Sequence, residues 1–138
     1  MNYYNKEIDR ISKVYFSNKD QIHLAVATKK HLDCHYSNAL NLELLARLQL
    51  TSKYHLLRVF KKYHGITPRQ YLIQKRISKA KCMLRTGKSV TETCYSVGFE
   101  SIHSFSKLFK NKIGVPPSTY RKAIFDKSKK QKEFTLPF

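Results

Sequence analysis

Acidic residues are scarce in this chain. Nine Asp and Glu stand against 27 Lys and Arg in 138 residues, a formal net charge of +18. An excess of that size attracts polyanions, and nucleic acid is the usual one. Cysteine is also sparse: Cys34, Cys82 and Cys94 are odd in number, far apart, and form no C-x-x-C pair. That excludes a zinc knuckle or a disulfide framework and fits small buried apolar residues in a reduced, cytoplasmic compartment. The start, Met-Asn-Tyr-Tyr-Asn-Lys, lacks the apolar stretch of a signal peptide, and no apolar run is long enough to span a membrane. No alternating strand pattern competes with the helical periodicity. Hydrophobic residues make up 41%, enough for one domain or for two very small ones sharing a core.

What the chain does have is a sentence said twice. Ser52 to Tyr71 reads S-K-Y-H-L-L-R-V-F-K-K-Y-H-G-I-T-P-R-Q-Y, and Ser101 to Tyr120 reads S-I-H-S-F-S-K-L-F-K-N-K-I-G-V-P-P-S-T-Y. Ser52/Ser101, Phe60/Phe109, Lys61/Lys110, Gly65/Gly114, Pro68/Pro117 and Tyr71/Tyr120 are identities at one offset of 49 (101 − 52). Leu56/Phe105, Arg58/Lys107, Val59/Leu108 and Ile66/Val115 match in character. A Gly, a Pro and two aromatics kept in register mark a duplicated structural unit, and two copies are too few for a solenoid.

Each copy reads as a short helix, a tight turn and a second helix. A first helix is expected over about 20–36, from Ile22, Ala25, Val26, Leu32 and Tyr36. Asn41 caps a short second helix carrying Leu42, Leu45 and Ala46. Ser52 caps the key helix, whose buried stripe is Leu56, Val59 and Phe60 and whose end is Gly65. Thr67-Pro68-Arg69-Gln70 starts a long helix running to about Arg85 over Leu72, Ile73, Ile77, Ala80 and Leu84, a rod of roughly 28 Å. Ser89 opens the second unit as a capping box with Glu92, and Val90, Thr93, Cys94 and Val97 share one face. Residues 101–112 repeat the key helix with Phe105, Leu108 and Phe109 inward, and a last helix runs from Pro116 to about Phe125. The expected organisation is an arm over 1–19 (weakly amphipathic through Ile8, Ile11 and Tyr15), a first subdomain over 20–66, a linker helix over 67–86, a second subdomain over 87–125, and a basic, solvated, mobile tail over 126–138.

In a helix-turn-helix the second helix enters the major groove and its exposed N-terminal residues face base edges. Helical geometry turns Lys53, Tyr54, Leu57 and Arg58 outward in the first copy and Ile102, His103, Ser106 and Lys107 outward in the second. Arg58 can bind guanine O6 and N7 through two parallel hydrogen bonds, and Lys107 can reach the same acceptors as a point charge. His103 and Ser106 can donate or accept, whereas Leu57 and Ile102 offer only apolar contact, for instance to thymine methyl groups. A lone histidine pair, His31 and His35, stands at helical i, i+4 spacing beside Cys34, but no third partner or catalytic Glu accompanies it, so metal or enzyme chemistry is only a remote alternative.

Residues 20–122 resemble the DNA-binding domain of AraC/XylS-type transcription regulators. The resemblance rests on Leu42-Glu43-Leu44-Leu45-Ala46, on Ser52 through Tyr71, on Arg76-Ile77-Ser78-Lys79-Ala80 with Leu84, and on Gly98-Phe99 through Arg121. It implies an all-α, homeodomain-like fold of about seven helices, with two helix-turn-helix subdomains joined by the long linker helix. It also implies a bacterial, non-enzymatic regulator that reads double-stranded promoter DNA at the nucleoid, works with RNA polymerase, binds as a monomer and needs no cofactor or metal. Base reading would fall to Tyr54, Leu57, Arg58, Ile102, His103, Ser106 and Lys107. Phosphate contacts would fall to Ser52, Lys53, Lys61, Thr67, Arg69, Ser101, Lys110 and Arg121. Three departures stand out: Leu50 where the first turn often has Gly, Leu57 where some relatives carry a polar reader, and Pro116 in place of a capping Ser or Thr. With only about 19 residues before the first helix, the chain is expected to be a short standalone member or a DNA-binding piece of a larger effector- or phosphorylation-controlled regulator.

Overall fold

A computed structural model describes the backbone over residues 3–134 and the side chains there except at 4, 8–9, 11–17 and 128–134. Every regular element among the described residues is an α-helix: α1 Tyr3–His35, α2 Leu42–Leu48, α3 Lys53–His64, α4 Pro68–Arg85, α5 Val90–Ser96, α6 Ile102–Ile113 and α7 Pro117–Phe134. The first and last helices run past their expected limits. Nothing between Tyr3 and His35 is Gly or Pro, so no residue stops α1 at position 20. The same holds from Ser118 to Phe134 in α7. The side chains of Ile8, Ile11 and Tyr15, and of the tail lysines beyond Lys127, lie outside the described residues.

The chain divides into two compact units. One comprises Met1–His35 and Leu40–Leu72, the other Tyr36–Ala39 and Ile73–Phe138. In the first unit α3 packs on α1 and on α2. Leu24, Ala25, Thr28 and Leu32 of α1, Leu45 and Ala46 of α2, Leu56, Val59 and Phe60 of α3, and Leu72 at the start of α4 are all buried. Burying a Leu- or Phe-sized side chain contributes about 1.5–3 kcal/mol, so these faces rather than intrinsic propensity hold the seven-residue α2 in place. His64 reaches the Ala25 carbonyl of α1 through Nε2 at 3.0 Å. The Tyr71 hydroxyl donates to Asp33.

The second unit gathers Ile77, Ala80 and Leu84 of α4, Cys94 of α5 and Val97 at its C-terminal cap, and Phe99, Phe105 and Phe109 around one core. Leu108, expected inside, is only partly buried and packs against that core from its rim. The short segment Tyr36–Ala39 also belongs to this unit. Arg76 donates from Nε to the Tyr36 carbonyl (2.7 Å) and from Nη2 to the Asn38 carbonyl (2.8 Å), and its guanidinium lies 5.7 Å from the Phe99 ring centroid. Burial lowers the pKa of this guanidinium, and the charge of Glu100 works in the opposite direction. Beside it, Gly98 has φ of 104°, and a Cβ there would lie 2.8 Å from the Ser37 carbonyl oxygen. No side chain fits that approach.

Candidate nucleic-acid interface

The two key helices are built alike, cap to cap. Ser52 Oγ accepts from the His55 N–H, and Ser101 Oγ from the Ser104 N–H, each at 3.2 Å. These bonds satisfy a donor that a helix N-terminus would otherwise leave unpaired. At the other end Gly65 (φ 79°) donates to the Lys61 carbonyl at 2.9 Å, and Gly114 (φ 98°) to the Lys110 carbonyl at 2.8 Å. Between the caps one aromatic edge recurs. Phe60 meets Tyr71 with ring centroids 6.0 Å apart and planes at 68°, and Phe109 meets Tyr120 at 5.4 Å and 67°. These are edge-to-face arrangements that fix where the following helix starts.

With the stripe fixed inward, the opposite face is set by helical geometry. Tyr54 is 73% exposed, and Arg58, His103 and Lys107 are exposed as expected. Ile102 is 38% exposed. Lys53, Leu57 and Ser106 are only half-exposed. Leu57 faces sideways into a cavity of about 390 Å³ inside the first unit, shared with Leu32, Leu42, Leu45, Pro68 and Leu72. Its place on the wheel is therefore the border of the outward face rather than its middle.

The family match rests on the same stretch. The description "Helix-turn-helix domain" fits residues 45–123, more than half of the chain. The chain belongs to the AraC-type helix-turn-helix family of DNA-binding transcription regulators. The bifunctional transcriptional activator/DNA repair enzyme AdaA of Bacillus subtilis is 36% identical over 93 residues, 67% of this chain and 44% of AdaA. The similarity lies in the helix-turn-helix part. The Msm operon regulatory protein of Streptococcus mutans is 33% identical over 70% of this chain and 35% of its own length, so the chain spans less than half of these curated relatives. Among solved structures, the C-terminal domain of AraT, a response regulator from Geobacillus stearothermophilus, superposes with a TM-score of 0.70 at 29% identity, covering 72% of this chain and 84% of that domain. The DNA-binding domain of AdpA, solved with a target DNA, gives 0.63 at 28% identity over 75% and 90% of the two chains.

Within this AraC-type frame the basic side chains are not equivalent. Lys61, Arg69 and Lys110 are exposed. Lys53 pairs with Glu43 of α2 at 3.4 Å and lies over the Tyr54 ring at 5.4 Å, an exposed pair worth little by itself. Arg121 donates from Nε to the Lys88 carbonyl at 3.0 Å and from Nη2 to the Gly87 carbonyl at 2.9 Å. Those bonds tie the turn before α5 to α7, which leaves only the remaining donors of Arg121 for an anion. Thr67 and Gln70 form the reciprocal capping box: Thr67 Oγ1 accepts from the Gln70 N–H at 3.1 Å, and Gln70 Oε1 from the Thr67 N–H at 3.0 Å. At the matching place the Pro116 carbonyl accepts from the Tyr120 N–H at 2.9 Å, and its side chain has no acceptor to add.

His55 was not among the sequence-derived candidates. It is half-buried, and its Nδ1 stands 3.4 Å from Arg58 Nη2 one helical turn on. The i, i+3 spacing was the available signal, since such pairs are neighbours on a helix surface. The His31 and His35 rings lie with centroids 4.6 Å apart and planes tilted by 37°, and burial together with the neighbouring His35 lowers the His31 pKa. Cys34 is exposed, and no group of three or more metal-ligating side chains stands together among the described residues. No described helix is long and apolar enough to cross a membrane.

Proposed function

We propose that this chain reads an asymmetric, bipartite site on double-stranded DNA, inserting α3 and α6 into successive major grooves. The observation that carries this reading is the pair of identically capped helices whose residues off the buried stripe differ: Lys53/Ile102, Tyr54/His103 and Leu57/Ser106, with Arg58/Lys107 alone alike in charge. Equal frames present two docking elements; unequal surfaces demand unlike half-sites. Arg58 and Lys107 address guanine acceptors, Tyr54, His103 and Ser106 flank them, and Leu57 and Ile102 make apolar contacts at the edges of the two faces. Ser52, Thr67 and Ser101 bring helix N-termini and their N–H donors to phosphates, with Lys53, Lys61, Arg69, Lys110 and the free donors of Arg121 around them. The chain binds as a monomer in the cytoplasm, at the nucleoid, and acts on transcription through RNA polymerase.

Selection of bound duplexes from a random library tests this directly. Two different conserved blocks about one helical turn apart are expected. A single block or a palindrome would overturn the bipartite reading. Affinity should fall steeply with salt, by about 0.9 log units per phosphate contact for each log unit of salt.

A further inference from the structure

We infer that His55 is a positioning residue for base reading: its Nδ1 accepts a hydrogen bond from Arg58 Nη2 and holds the guanidinium ready before DNA arrives. This rests on the reading of α3 as a groove-inserted helix. Arginine on an exposed helix face carries several free torsions, and ordering such a side chain on binding costs affinity. A contact already made in the free protein removes part of that cost.

Three links set the geometry. Ser52 Oγ accepts from the His55 N–H at 3.2 Å, which fixes the histidine backbone at the first turn of α3. The His55 ring is half-buried, so it is held on the helix flank rather than swinging in solvent. Its Nδ1 then lies 3.4 Å from Arg58 Nη2. The bond requires a neutral ring with its proton on Nε2, because a protonated ring offers no acceptor. Spending one of the two Nη2 hydrogens leaves one complete edge of the guanidinium with two parallel donors, the number that guanine O6 and N7 accept. The second unit has no such relay. At the position matching His55 stands Ser104, whose hydroxyl oxygen is engaged by Ser101 Oγ at 3.0 Å, and the reader there is a lysine, a point charge without a fork.

The test uses the whole chain, its best duplex from the random library, and the set of duplexes carrying each single base-pair change, read by fluorescence anisotropy with thermal melting alongside. His55→Phe keeps a ring but removes the acceptor, and His55→Asn puts Oδ1 about where Nδ1 was. Arg58→Ala should abolish the preference at one base pair. His55→Phe should weaken the preference at that same base pair about three- to tenfold, leave the others unchanged, and add nothing further in the Arg58→Ala background. His55→Asn should restore it. A merely structural role would lower the melting temperature or weaken every position alike, and either pattern without the base-specific loss overturns the proposal. So does a His55→Asn protein as weak as His55→Phe. If Arg58→Ala loses the preference and His55→Phe keeps it, only the positioning role falls. If Arg58→Ala keeps every preference, the groove-reading assignment of α3 falls with it.

Discussion

The first and second units solve the same folding problem with different materials. Both use a Ser cap, a left-handed Gly end and a Phe–Tyr edge contact around the key helix. Among the described residues, the first unit buries a single phenylalanine, Phe60, between aliphatic side chains and the half-buried rings of His64 and Tyr71, whereas the second buries Phe99, Phe105 and Phe109 together. At the turn before the key helix the second unit has Gly98 against the Ser37 backbone, and the first has Leu50 with φ of 53°, 95% exposed. The hydrogen bonds of the two turns nevertheless match. Leu50 and Thr51 donate to Arg47 and Ala46, as Gly98 and Phe99 donate to Tyr95 and Cys94. A left-handed leucine costs about 1–2 kcal/mol, and the turn forms regardless because its bonds and the packed helices on each side over-determine it. Turn geometry is thus demanded by the motif, and the residue identity is free to drift wherever nothing approaches the Cα.

Substitutions at matching places test how far the two units differ. Phe60→Ala should cost about 3–5 kcal/mol in urea unfolding, and Phe99→Ala less, because Phe99 is 8% exposed whereas Phe60 is fully buried. Equal losses would erase the contrast between the two cores. Gly98→Ala should cost at least about 2 kcal/mol, since the new methyl meets the Ser37 carbonyl and the backbone is left-handed as well. Arg58→Ala should remove about 1–3 kcal/mol of discrimination at one base pair, and Lys107→Ala less, measured by anisotropy on substituted duplexes. Leu50→Gly should stabilise by roughly 1 kcal/mol, because relief of strain outweighs the added freedom of the unfolded chain.

A comparable effect depends on pH. Burial raises the Tyr71 pKa from 10.0 to about 12, with the Asp33 hydrogen bond and the Asp33 charge adding to it. The folded state therefore holds this proton more tightly than the unfolded chain does. The stability it contributes is complete below pH 10 and is lost as pH rises through about 12. Tyr71→Phe should cost about 1 kcal/mol at neutral pH and flatten the fall between pH 10 and 12 in a series of urea melts.

The helices and their caps were legible in the sequence because their signals are local. Asn41, Ser52, Thr67, Ser89 and Ser101 all cap where periodicity placed them. The ends of α1 and α7 were not, since a polar stretch without Gly or Pro permits a helix without demanding one. The exposure of Tyr54, Arg58, His103 and Lys107 followed from the wheel. Leu57 and Arg121 did not: one turns toward a cavity, the other spends donors on the turn at Gly87 and Lys88. Both depend on groups distant in sequence, from Leu32 to Leu57 and from Gly87 to Arg121, which no local pattern encodes.

Tyr36–Ala39 lies between α1 and α2 in the chain but in the second unit in space, where Arg76 and Gly98 hold it. No single cut therefore separates the two copies. A fragment starting at Thr67 would carry all of α4 to α7 yet leave the Arg76 guanidinium, already partly buried, without the carbonyls it serves. The repeat is modular as text and discontinuous as an object. Transplanting α6 together with its core would require carrying four residues that precede α2 in the chain.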